Sequence, residues 1–203
     1  MVANNYFPGQ GPITPNSVGG KATVWQPADI VAGNQVNGLI RPNNTNTYSA
    51  GQALGSLTSC VFPFSNFFLY PVGSGLLIGS RVAVSATGIT PSAMGNLMGH
   101  LYQGVPSGAN GISDGVAYPL LFADEPLYLG SMVFTTWYGN GGSGGGGAGS
   151  NVTFAFGSTL LAQQHVIGSP SNKNAYLVLV ATGTSGAQLA NAIISPTLSA
   201  VWD

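Results

Sequence analysis

Chemistry in this chain would have to come from very few side chains: two histidines, one cysteine and five carboxylates among 203 residues. His100 and His165 are far apart in sequence, and Cys60 has no companion at ligand spacing, so no zinc site is indicated. His100 alternates with Met98 and Tyr102 in a predicted strand, which makes it a packed or surface imidazole. Asp124 and Glu125 form the one adjacent carboxylate pair, followed at once by Pro126. Neighbouring residues of a strand point to opposite faces, so the two cannot share a proton there. Calcium would accept both carboxylates with loop carbonyls, but the graded acidic spacing of a calcium loop is missing, and the pair reads as a solvated turn. Gly141-Gly-Ser143-Gly-Gly145 has the spelling of a nucleophile elbow. That motif works only as a strained strand-to-helix turn with a histidine and an acid in reach. Here it sits in a glycine tract ahead of another strand. No catalytic residue, metal site or cofactor is expected, and the chain reads as a non-enzyme.

Composition points the same way. Charged residues make up 4% of the chain and the net charge is −1, against roughly a quarter charged in an ordinary soluble domain. Four cations spread from Lys21 to Lys173 cannot track a phosphate backbone, so nucleic acid is not an expected partner. Interspersed charge normally keeps a free protein from self-association. A surface of neutral amides and hydroxyls is instead cheap to bury, because no ion has to be stripped of water. The sequence thus describes a molecule packed against neighbours. The start, MVANNYFPGQ, reads as having neither the basic nor the apolar region of a secretory signal. Every apolar run is cut by Gly, Pro, Ser or Asn well short of the ~20 residues of a spanning helix, so no membrane is expected.

The elements that must position these residues are short strands. Residues 1–47 are rich in Asn, Gly and Pro and read as an extended N-terminal arm or lead-in strands. Residues 48–203 read as an antiparallel β-sandwich, jelly-roll-like, with a flexible Gly-rich loop at 140–150. The clearest strand runs from Leu76 to Thr87, with Leu76, Ile78, Val82, Val84 and Ala86 on one face. Ser80 and Leu77 are its two exceptions. Further strands are predicted over 57–62, 67–72, 97–105, 128–137, 152–156, 175–182 and 199–202, and a helical turn over 188–193. The run Ala175-Tyr-Leu-Val-Leu-Val-Ala181 is apolar on both faces, which places it centrally or under another layer.

Within this framework Tyr48-Ser-Ala-Gly-Gln-Ala-Leu-Gly55 resembles the domain entry of a family of tailed-bacteriophage capsid decoration (cement) proteins. Ser74-Gly-Leu-Leu-Ile-Gly-Ser-Arg-Val82, Leu101-Tyr-Gln-Gly-Val-Pro106, Asp114, Tyr128-Leu-Gly130 and Ala175-Tyr-Leu-Val178 follow in that family's order. Gln52 stands where the family usually carries an acid, and Asp114-Gly-Val replaces its usual continuation. The resemblance implies a jelly-roll-like virion structural protein on the outer capsid surface, assembled in the host bacterial cytoplasm, with no catalytic residues. Its partners would be the major capsid protein and further copies of itself. Tyr6, Phe7, Trp25 and Trp202 are the candidate interface anchors, since aromatic side chains bury large area at low entropic cost. The rival readings are another virion part (head fibre, tail-tube protein or small shell subunit) and a glycan-binding module of a receptor-binding appendage.

Overall fold

The computed structural model describes residues 23–25, 29–31, 34–36, 38–68, 74–85, 94–139, 152–159, 164–167, 173–188 and 190–202. Four short strands come first: β1 (Thr23–Trp25), β2 (Asp29–Val31), β3 (Asn34–Val36) and β4 (Leu39–Ile40). Then follow β5 (Ala53–Leu54), β6 (Val61–Phe64), β7 (Ser74–Ser85) and β8 (Leu97–Tyr102). The rest are β9 (Tyr128–Phe134), β10 (Trp137–Gly139), β11 (Val152–Thr159), β12 (Gln164–Ile167), β13 (Ala175–Ala181) and β14 (Ile193–Trp202). Helix among the described residues is limited to two 3-10 turns, Ser107–Ala109 and Phe122–Leu127. None is long and apolar enough to cross a membrane.

All pairings are antiparallel, in a 12-stranded sheet ordered β1-β14-β7-β11-β9-β8-β13-β5 and a separate β2–β3 pair. Strand β11 belongs to both halves of the large sheet. Val152–Gly157 pair with β7, whereas Ser158 and Thr159 pair with Val133 and Met132 of β9. The halves on either side of β11 face each other across one core, in which Leu77, Val82, Val84, Ile194 and Leu198 meet Phe62, Leu101, Met132, Phe134 and Leu177. This is the all-β sandwich that the strand pattern predicted. Within residues 1–47 the described strands β1 and β4 both pair along β14, leaving Pro196 between the two pairings. A proline, with no N–H to donate, is tolerated where a ladder is interrupted.

Several sequence readings change here: the strand expected over 57–62 is displaced to β6 (Val61–Phe64), and Phe67 and Phe68, the described part of the strand expected over 67–72, lie outside any strand. The exceptions in the 76–87 strand mark a β-bulge: Ser199 pairs with Gly79 but the next residue, Ala200, pairs with Leu77. The extra residue shifts the alternation by one, so Leu77 joins Ser80, Val82 and Val84 on the buried face while Leu76 is only half-buried. The helical turn expected over 188–193 is replaced by a tight turn, with Asn191 at φ 57°, and β14 begins at Ile193. Asparagine is one of the few non-glycine residues that adopts this left-handed conformation readily.

Candidate interaction surface

Strand β13 lies between β8 and the short strands β5 and β6 and is covered on both faces. Ala175, Leu177, Leu179 and Ala181 point into the main core, while Val178 and Val180 point outward into a second one. That second core is closed by the long β8–β9 connection, which folds back over the sheet with Ala109 and Tyr118 against Tyr102, Cys60 and Ala53. The two-faced hydrophobicity of 175–181 is thus explained by a third layer made of loop. Burial pushes the Cys60 thiol up to about 11, which leaves it unreactive at neutral pH.

Two buried carboxylates hold this loop layer in place. Asp114 accepts from Arg41 Nη2 at 3.0 Å and from the Gly55 amide at 3.0 Å, and also from the Tyr48 hydroxyl. Arg41 Nε donates to the same hydroxyl at 2.6 Å, and its guanidinium lies 5.1 Å from the Tyr48 ring centroid. Arg41 and Asp114 are 2% and 3% exposed. Burial and the Asp114 charge raise the Tyr48 phenol far above its ordinary range, so it stays a neutral donor. Backbone bonds knit the same stretch to the β5 region: Ala53 N to Val116 O, Gly115 N to Ala53 O and Tyr118 N to Gly51 O, each 2.8 Å.

Asp124 is the second brace. It accepts from the Ser107 amide at 2.7 Å, the Ser107 hydroxyl at 2.6 Å and the Gly108 amide at 2.8 Å. Only glycine fits at position 108, where a Cβ would lie 2.5 Å from the Pro119 carbonyl oxygen. The solvated turn expected for Asp124-Glu125 is therefore half wrong. Asp124 is buried inside a 3-10 turn and satisfied by loop donors, while Glu125 faces solvent. Its shift is a balance: burial favours the protonated acid, but the Ser107 and Gly108 bonds outweigh it and hold the carboxyl below the usual carboxylate range.

The sign of that shift fixes an acid sensitivity. A depressed folded-state pKa contributes stability that is complete above the unfolded value of about 3.9 and lost as pH falls through the folded value. The loop layer should therefore loosen below about pH 4. Hydrogen exchange at the Gly108 amide should speed up there before the core strands β7 and β13 open. Ser107→Ala, which removes one of the three donors, should move that loosening to higher pH. An unchanged midpoint in the variant would contradict the assignment.

His100 is buried in β8, with Nδ1 3.2 Å from the Tyr128 hydroxyl, and its ring stands beside Tyr118 and Tyr128. Burial lowers its pKa, so it is a neutral packed imidazole at pH 7. Tyr118 donates to Tyr102 at 3.0 Å, and burial together with that bond raises the Tyr118 phenol strongly. Among the described residues no three His, Cys, Asp or Glu side chains come together as a metal site.

Part of what the layer presents outward is apolar, beside exposed Ser107, Asn110 and Glu125. Phe122 is 91% exposed and Leu120 63%, with Leu121 beside them; Val105 and Tyr128 are also exposed. Leu121 packs near Gly108, and so sits directly on the Asp124 brace. Comparisons with protein-family models, with curated proteins and with solved structures returned no match. Tyr6, Phe7 and the Gly-rich tract 140–150 lie outside the described residues. Trp25 pairs with Leu198 and Trp202 with Gly75, which places both by backbone only. The Leu120–Phe122 surface was not singled out by the sequence pattern. Tyr48, Gly55 and Asp114 meet at one hydrogen-bond node.

Proposed function

We propose that this chain is a virion structural protein that decorates the outer capsid of a tailed phage and strengthens contacts between shell subunits. The supporting observation is the removal of charge from a surface already poor in it. Of the nine charged side chains in the sequence, Arg41, Asp114 and Asp124 are internal, spent on holding loops. Surface built largely from neutral hydrogen-bonding and apolar groups is suited to permanent burial in an assembly, where ions would have to be desolvated. Titratable groups at the braced site are satisfied by hydrogen bonds or lifted out of the working pH range, which suits a structural role better than proton transfer. A repeating shell would let individually modest contacts hold through multivalency.

The test adds purified protein to undecorated heads built from the major capsid protein of the same virion. Saturable uptake at a fixed copy number per shell, with heads that survive higher temperature, is the expected result. No uptake, or uptake without added heat resistance, contradicts the reading.

A further inference from the structure

We propose that Arg81 anchors a binding site for a small oxyanion, a phosphate or carboxylate group, on the outer face of β7 and β14. The inference is independent of whether the protein sits on a capsid. Arg81 stands within β7, with Thr197 of β14 opposite it on one side and Phe156 of β11 on the other. Ser80, Val82 and Val84 turn into the core. Period two therefore puts Gly79, Arg81, Ala83 and Ser85 on the opposite, half-buried face. Ser195, Thr197 and Ser199, their partners on β14, share that face. The loop layer and its carboxylate braces lie over β13, on the other half of the sandwich.

Two independent observations point to an acceptor from outside. The first is an orphaned donor: Arg81 Nε is sealed from solvent and has no hydrogen-bond partner. Arg41, by contrast, is satisfied by Asp114, Tyr48 and Asn44. Among the described residues no carboxylate pairs with Arg81, since Asp114 is taken by Arg41 and Asp124 by Ser107 and Gly108. A desolvated donor without an acceptor is unfavourable, and a bound oxyanion would relieve it. The second is room beside it. Gly79 lies two residues away on the same face, and among the described residues a Cβ built there would meet only Ser199 Cβ, at 3.9 Å. Ala83, on the other side of Arg81, is nearly as small. The guanidinium thus borders a notch over Gly79 that Ser199 edges with a hydroxyl. A planar guanidinium donates two parallel N–H bonds to one oxyanion, which a lone ammonium cannot do. An anion entering the notch meets the Nη groups first. Turning the end of the side chain then brings Nε into the second bond, and the Ser199 hydroxyl is placed to donate a third. The described neighbours on this face are glycine, alanine, serine and threonine, so no negative charge among them repels the ligand.

Isothermal titration of the full chain with sodium phosphate, and separately with sodium acetate, tests the site at an ionic strength held constant with sodium chloride. At least one of the two anions should bind saturably, with a single equivalent per chain. Binding of phosphate alone assigns the site to a tetrahedral oxyanion, and binding of acetate alone to a carboxylate; either pattern supports the proposal. Arg81→Gln, which removes both the charge and the fork, should weaken the bound anion about tenfold or more. Gly79→Val leaves Arg81 in place and suits a strand, but fills the notch, so it should weaken binding as well. Near-UV spectra check that both variants keep the native fold. No saturable binding of either anion would overturn the proposal. So would unchanged affinity in Arg81→Gln, which would mean an adventitious ion only, or full affinity in Gly79→Val, which would place the anion elsewhere.

Discussion

Asp114→Ala should cost about 3–5 kcal/mol, the range for removing one partner of a buried ion pair. The size follows from what is left behind. Arg41 would remain inside the protein with its Nη2 missing the carboxylate at 3.0 Å, and the Tyr48 hydroxyl and Gly55 amide would also lose their acceptor. Arg41 Nη2 keeps its bond to Asn44 Oδ1 at 3.3 Å, but losing the charged acceptor of several internal donors at once is the costly direction of hydrogen-bond removal, because a donor without its acceptor keeps its desolvation penalty. Urea unfolding followed by tryptophan fluorescence measures it, with the midpoint expected to fall and the slope to stay constant. Replacing Arg41 and Asp114 together by apolar residues of similar volume should recover much of the loss, since the unpaired charge is then gone. A single-variant loss below about 1 kcal/mol would mean that the pair is not buried as described.

Phe134→Ala should cost a similar amount, about 3–5 kcal/mol, for a different reason. Phe134 is fully buried at the end of β9, close to where β11 leaves β7 to pair with β9. Its ring occupies space that two glycines leave open. A Cβ on Gly157 would lie 2.6 Å from the ring, and one on Gly99 would lie 3.3 Å from it. Truncation would leave a cavity under the point where the sheet folds over, and Gly99 and Gly157 have no side chains to move into it, so collapse is incomplete. Phe134→Leu should lose distinctly less. Thermal unfolding compares the two, and equal midpoints for Ala and Leu would show that the site relaxes freely.

The pattern of residues carried the secondary structure well where one face of a strand is buried. Period two across 76–87 predicted β7, and the misfit of Ser80 and Leu77 contained the bulge, although only the pairing with β14 shows it. The two-faced run 175–181 announced a strand covered on both sides, which β13 is. What covers it was not legible. The loop over residues 103–127 has no period, because its packing is set by individual side chains such as Tyr118 rather than by a repeating face. The Arg41–Asp114 pair is separated by 73 residues, and nothing local marks either residue as internal. Asp124 illustrates the same limit. Beside Glu125 and Pro126 it looks like surface, and only the return of Ser107 and Gly108 turns it into a brace. The exposed Leu120–Phe122 triplet carries no local signal either, since its exposure depends on how the loop folds over the sheet.

The claim beneath all of this is that the molecule is built to be held by uncharged contact. Ion pairs weaken as salt screens them, whereas burial of neutral and apolar surface does not. The direct measurement is attachment to undecorated heads followed by sedimentation, at low ionic strength and again near 1 M salt. The bound copy number should be the same at both. Loss of the protein from the shells as salt is raised, or a failure to bind at either, would contradict the account.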